Sequence, residues 1–309
     1  MGSDLQSSLA DGVPSLSGNE FAKRALETLA LMHQWGYAPS VDTLATELLG
    51  GSVDPSQVLA LGRQSAAMSI LDGFIYLHGN ERLVAKSRSR VASHNLQNGE
   101  ALSVAKEFAR DLIRACPVVD CVALSGSAAS GGYARGDDVD FDLFTRNGTK
   151  YLVYAVALVI GLKAAILWWR GHGFRKIICI NVIWNHSESR PFVRRDNGLA
   201  FELLRCQPLI GADIFRQVIL ANEWTSRYFP QLSQKKFLNG ARPEPNLIGR
   251  IILKISRHPR LLAGVDLLSR GVTRCAYGLA HWLKSRDAAS VERLEFLQRV
   301  KYPYEVFQD

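Results

Sequence analysis

The chain has 309 residues, is 47% hydrophobic and 21% charged, and carries a formal net charge of +8. That length suits two or three domains, each with its own core, and the ordinary apolar content argues against a fibrous or wholly disordered chain. Cys116, Cys121, Cys179, Cys206 and Cys275 are odd in number, lack metal-type spacing and sit mostly in apolar segments. They read as buried free thiols of a reducing cytoplasm rather than as a disulfide framework.

Residues 1–19 are rich in Ser, Gly and Asp without a charged start and apolar run, so we expect a disordered tail rather than a secretory signal. Phe21 to Trp35 has a helical pattern. Ser40-Val41-Asp42-Thr43 is a capping signature that opens a helix striped by Leu44, Leu48 and Leu49. Asp54 to Met68 reads as a third helix. Ile70 to Leu77 and Arg82 to Ala85 read as strands joined at His78-Gly79-Asn80. Three helices and a hairpin are the order of a winged helix-turn-helix, which sets the expected domain at residues 20–92. Arg82, Lys86, Arg88 and Arg90 follow the hairpin, where such folds touch nucleic-acid backbones. The third helix, however, carries only Arg63 as a clear cation, which favours an interaction module over sequence-specific reading.

Glu100 to Cys116 is an amphipathic helix with Val104, Phe108 and Leu112 at four-residue spacing. It leads into an apolar strand, Val119 to Leu124, that ends at Ser125-Gly126-Ser127. Ala128 and Ala129 suit the opening turn of a helix. Glycine lets a backbone approach a ligand, and free amides at a helix start attract phosphate. After Gly131, Gly132 and Gly136, a second strand spans Val139 to Thr145. Alternation puts Asp138, Asp140 and Asp142 on one face, with roughly 6.6 Å between successive Cα atoms, and Val139, Phe141 and Leu143 on the other. Such carboxylates can converge on hard cations. Two metals roughly 4 Å apart would clamp the attacking and leaving oxygens of an in-line displacement. Gly-Ser turns are common and Asp-rich segments often only solvate a loop, so the conjunction carries the reading. Walker, dinucleotide-binding, nucleophile-elbow and zincin motifs are missing from the sequence.

This conjunction resembles the nucleotidyltransferase superfamily typified by DNA polymerase beta. The resemblance implies an α+β fold in which a small mixed β-sheet is flanked by helices. It matches Gly126 and Ser127 to the nucleotide-binding pair that grips phosphate, and Asp138 and Asp140 to the metal-binding acids. It implies Mg2+ (or Mn2+) as cofactor and a nucleoside triphosphate as substrate. The core is expected over residues 93–232. Many members carry a third acid on a later strand, yet Lys176 to Trp184 has none and places Asn181 in its apolar run. Asp142 then stands as a third catalytic candidate, with Asp196 and Glu202 available if the chain folds back.

Tyr151 to Trp169 approaches membrane-spanning length, but Lys163 interrupts it, and a central lysine costs about 3 kcal/mol to insert. A span would also part the acidic strand from the strand after it, so we expect a buried helix covering the sheet. His172 and His186 flank the later strand and read as structural, whereas Arg175, Lys176, Arg194 and Arg195 are candidate phosphate contacts. Leu199 to Cys206 reads as a helix stopped by Pro208-Leu209-Ile210-Gly211, and Asp213 to Trp224 as another. Gln234 to Pro245 resembles a linker. Residues 233–309 are expected to form a helical region, with Arg250, Lys254, Arg257 and Arg260 on a solvated face.

The expected activity is metal-dependent transfer of a nucleoside monophosphate to an acceptor hydroxyl on a small molecule, a protein or an RNA end. Asp138, Asp140 and Asp142 are its catalytic candidates. The positive charge suits a triphosphate, and equally RNA or an anionic membrane surface. The alternative is a catalytically weak nucleotide-binding regulator whose winged helix contacts DNA or a protein partner.

Overall fold

The computed structural model describes residues 18–172, 177–237 and 240–284, with the side chains of 168–172 and 277–284 left aside. Residues 1–17, Arg175, Lys176 and everything after Lys284 lie outside the described residues. The chain divides into two compact units between Val84 and Ala85.

The first unit contains α1 (Gly18–Gln34), α2 (Val41–Thr46), α3 (Pro55–Gln64) and a hairpin of β1 (Met68–Leu71) and β2 (Phe74–Leu77). Ser40 caps α2, its hydroxyl accepting the Thr43 amide at 3.1 Å. Asp54 and Gln57 form a reciprocal capping box at α3, with Pro55 in the first turn, so orphan donors are satisfied at both starts. Leu29, Met32, Leu44, Leu48, Val58 and Ile75 are fully buried. The hairpin turns at Asp72-Gly73, not at His78-Gly79-Asn80. Asp72 and Gly73 have φ of 52° and 79°, the paired left-handed conformation of a two-residue turn that matches strand twist. Residues 82–85 are accordingly released from the hairpin and are helical.

They begin α4 (Arg82–Ala115), of which the expected Glu100–Cys116 helix is only the latter half. The second unit continues with β3 (Val119–Ser125), α5 (Gly126–Ala129), β4 (Val139–Thr145), α6 (Lys150–His172), β5 (Ile178–Asn185), α7 (His186–Ser189) and α8 (Asn197–Arg205). After these come β6 (Gln207–Ile210), α9 (Ala212–Leu220), α10 (Trp224–Tyr228), α11 (Gln231–Gln234), α12 (Leu247–Ser256) and α13 (Pro259–Lys284). The sheet order is β5-β4-β3-β6. The β4–β5 pair is parallel and the other two are antiparallel, so the architecture is α+β with a small mixed sheet. Pro208 to Ile210, expected to be a helix stop, lies in an edge strand, where a missing proline amide is tolerated.

One face of the sheet holds the core. Val122, Leu124, Val139, Phe141 and Leu143 are fully buried with Phe108 and Leu112 of α4, and the Phe108 and Phe141 rings lie 4.5 Å apart. Hydrophobic burial on this scale contributes about 1.5–3 kcal/mol per large side chain. The opposite face of β4 carries Asp140, Asp142 and Phe144, and Phe144 meets Trp184 and Phe215.

Helix α6 is the crossover between the parallel strands β4 and β5. Its Lys150–Leu167 stretch has mean hydropathy 1.8 and is long and apolar enough to cross a membrane. The two strands it joins are hydrogen-bonded neighbours, which a crossing helix would separate. Only part of α6 is buried, however. Val153 and Ala157 enter the core while Val159, Leu162 and Leu167 are exposed. Asp266 of α13 caps α6 by accepting the Tyr151 and Leu152 amides, each at 2.9 Å.

Candidate active site

Strand β3 delivers Ser125 to a left-handed turn at Gly126, where a side chain would be both strained and crowded. Gly126 has φ 61°, and a Cβ there would sit 2.1 Å from Asp140 Oδ2. The turn and the acidic strand are therefore in contact through the missing side chain. Helix α5 beyond it is a single turn.

Asp137 organises this corner. Its Oδ2 accepts the Ser127 hydroxyl at 2.9 Å and the Ala134 amide at 3.1 Å, and it is ion-paired with Arg90 of α4. One turn further along α4, His94 Nδ1 accepts the Tyr133 amide at 3.2 Å. Burial holds the His94 pKa below its ordinary value, which suits an accepting neutral ring. From the other side, Gln207 donates to the Ala129 carbonyl at 2.7 Å and Arg205 to that of Ser130 at 3.2 Å. The loop after β3 is thus gripped by α4 and by the α8–β6 junction.

The acids divide into two groups. Asp138, Asp140 and Cys179 offer ligand atoms that all lie within 4.8 Å of one another. Cys179 arrives because β5 runs parallel to β4 with Cys179 abreast of Asp140. Asp142 belongs to a second group with Glu202 and Cys206. The Ser125 hydroxyl donates to Asp142 Oδ1 at 2.9 Å and the Cys206 thiol to Oδ2 at 3.2 Å. Asn181 in turn donates to the Ser125 hydroxyl at 3.0 Å. Loss of water pushes Asp142 up to about 7 and Glu202 up to about 8, each helped by repulsion from a neighbouring carboxylate. The pair therefore retains at least one proton at neutral pH.

Asp142 shares a strand face with Asp140, as alternation requires, but both its oxygens are engaged at 1% exposure. The structure does not bring it to Asp138. Glu202 joins Asp142 instead, and Asp196 caps α8 through the Leu199 amide at 2.9 Å while paired with Arg194. Arg195 is exposed. His186 meets Asp120 at 2.9 Å, at the far end of the sheet from Ser125. Cys179 is not the buried inert thiol that composition suggests, because it is half-buried beside two carboxylates. Asp137, His94 and Cys179 are the residues missed by sequence reasoning, and Arg90, expected among the cations after the hairpin, is paired with Asp137 instead. A local signal exists only for His94, which shares a helix face with Arg90 at four-residue spacing.

Two carboxylates and a thiol are a donor set suited to a divalent cation, and Gly126 leaves space beside Asp140 that any side chain would fill. Comparison with family models, curated proteins and solved structures finds no match to this chain.

Proposed function

We propose that this chain is a divalent-metal-dependent nucleotidyltransferase of the DNA polymerase beta-like kind, transferring a nucleoside monophosphate from a triphosphate to an acceptor hydroxyl. The observation that carries the reading is the abutment of the Gly126 turn on Asp140, which sets a polyanion-binding backbone against a cation-binding carboxylate. Strand, glycine turn and acidic strand follow in the order that chemistry needs.

Asp138 and Asp140 would hold the cation, which when bound neutralises charge on the transferring phosphoryl group. The backbone of Gly126 and Ser127 binds the leaving phosphates. Asp137 holds the Ser127 hydroxyl and the Arg90 guanidinium beside that backbone, and Arg90 adds positive charge where pyrophosphate departs. Positioning and charge neutralisation supply the rate.

The test is pyrophosphate release from each of the four nucleoside triphosphates with Mg2+ or Mn2+, with and without RNA or small hydroxyl acceptors. Release by the wild type and its loss in Asp140→Asn supports the proposal. A second reading is favoured by the lack of a third acid on β5, where Asn181 bonds Ser125 instead. In it the chain binds nucleotide as a regulator, and its three helices and hairpin act as a winged-helix contact for DNA or a protein. Tight nucleotide binding with no pyrophosphate under any condition would select that reading.

A further inference from the structure

We infer that Cys179 is a metal ligand, so that the cation site is an Asp–Asp–Cys centre favouring thiophilic divalent ions over Mg2+. The inference rests on the proposed metal site at Asp138 and Asp140 and specifies its third ligand. The sequence suggested Asn181 as the place where an acid is lacking. The sheet register shows otherwise. Cys179, not Asn181, lies abreast of Asp140, and Asn181 turns its amide to Ser125 at 3.0 Å. The Cys179 sulfur sits with both carboxylates inside a 4.8 Å set, close enough for one ion to bridge all three with small side-chain adjustments.

Ligand chemistry then decides the preference. Mg2+ demands oxygen donors in near-octahedral array. Thiolate selects softer ions such as Zn2+ and Co2+, and Mn2+ tolerates the mixed set better than Mg2+ does. Binding deprotonates the thiol: the S–H bond breaks, the proton leaves to solvent and the sulfur lone pair forms the metal bond. No redox change is involved. Two carboxylates and one thiolate place three negative charges around a divalent ion, the same charge that a third aspartate would supply.

The experiment is a Co2+ titration of the purified full chain, read by the near-ultraviolet thiolate-to-cobalt charge-transfer band, with Zn2+ competition giving affinities. Cys179→Ser is the variant, with Cys206→Ser and Cys275→Ser as thiol controls and Asp140→Asn as the site control. The expected result is a band in the wild type and both thiol controls that Cys179→Ser and Asp140→Asn abolish. Zn2+ should bind Cys179→Ser at least about tenfold more weakly, and Cys179→Asp should restore preference for Mg2+. Asp140-dependent metal binding without the band, or with the band intact in Cys179→Ser, overturns the inference and leaves the proposed function standing. A band that persists in Cys179→Ser and vanishes in Cys206→Ser moves the metal to the Asp142 group and overturns it too. No binding of any divalent ion, with or without nucleotide, overturns both.

Discussion

Replacing Asp142 with Asn should make this protein more stable at neutral pH, and should make its stability less dependent on pH. Burial lifts Asp142 from an ordinary 3.8 to about 7. Each unit is worth about 1.4 kcal/mol, so forcing the charge into this position costs up to about 4 kcal/mol at and above pH 7. The unfolded chain releases the proton near pH 4, whereas the fold keeps it until about pH 7. The folded state binds the extra proton throughout that window, so stability is complete below it and falls as pH rises. Glu202 carries part of the same effect because the two carboxyls titrate as a pair. We therefore expect a gain of about 1–3 kcal/mol at pH 7 from the single substitution, shrinking toward zero at pH 4. An asparagine keeps a carbonyl oxygen for the Ser125 hydroxyl and turns an amide toward the Cys206 sulfur, so the substitution gives up only the weak bond donated by the Cys206 thiol. Urea unfolding of both proteins at pH 5, 6, 7 and 8 measures the difference while cancelling the titrating groups that do not interact with Asp142. A wild-type-minus-variant difference that stays constant across that range, or a stability gain from the substitution that is smaller at pH 7 than at pH 5, would refute the reasoning.

Three further outcomes follow from the same geometry. Asp138→Ala and Asp140→Ala should abolish pyrophosphate release while keeping a cooperative unfolding transition, since neither removes a core hydrophobic side chain; full activity in either variant sinks the site assignment. Gly126→Ala should destabilise by about 1–3 kcal/mol and lose activity, because its φ of 61° is unfavourable and the new methyl displaces the Asp140 carboxylate. Thermal unfolding with unchanged midpoint would contradict this. Arg90→Ala should raise KM for the triphosphate about tenfold with a smaller effect on kcat, reflecting a lost charged contact and a loosened Asp137; steady-state kinetics decides, and an unchanged KM counts against a phosphate role.

Local pattern was enough for the elements that frame the site. The Val139–Thr145 strand ends where alternation and flanking polar residues place it, and β3 differs from its expected span by Ser125 alone. Period-two alternation also puts Asp140 and Asp142 on one face, since backbone pleating leaves no alternative. The hairpin was misplaced because two turn-like pairs, Asp72-Gly73 and Gly79-Asn80, compete, and only pairing of β1 with β2 selects between them. Arg82 to Ala85 then fell to the strand reading, although the same residues continue smoothly into α4 once the hairpin closes early.

Depth and register are different in kind from local pattern. Nothing in Asp138-Val139-Asp140-Phe141-Asp142 distinguishes an acid facing a cation from one sealed under Ser125 and Cys206. That division depends on α8 and β6, which arrive some sixty residues later to close over Asp142. Likewise, the partner of Asp140 on β5 depends on how two parallel strands slide past one another. That offset is settled by packing along their whole length and by the α6 crossover between them. A chain specifies which faces its strands and helices present through short-range sterics and hydrophobicity. Which donors meet across those faces is set by long-range packing, and here it is that packing which put a thiol, not an acid or an amide, beside Asp138 and Asp140.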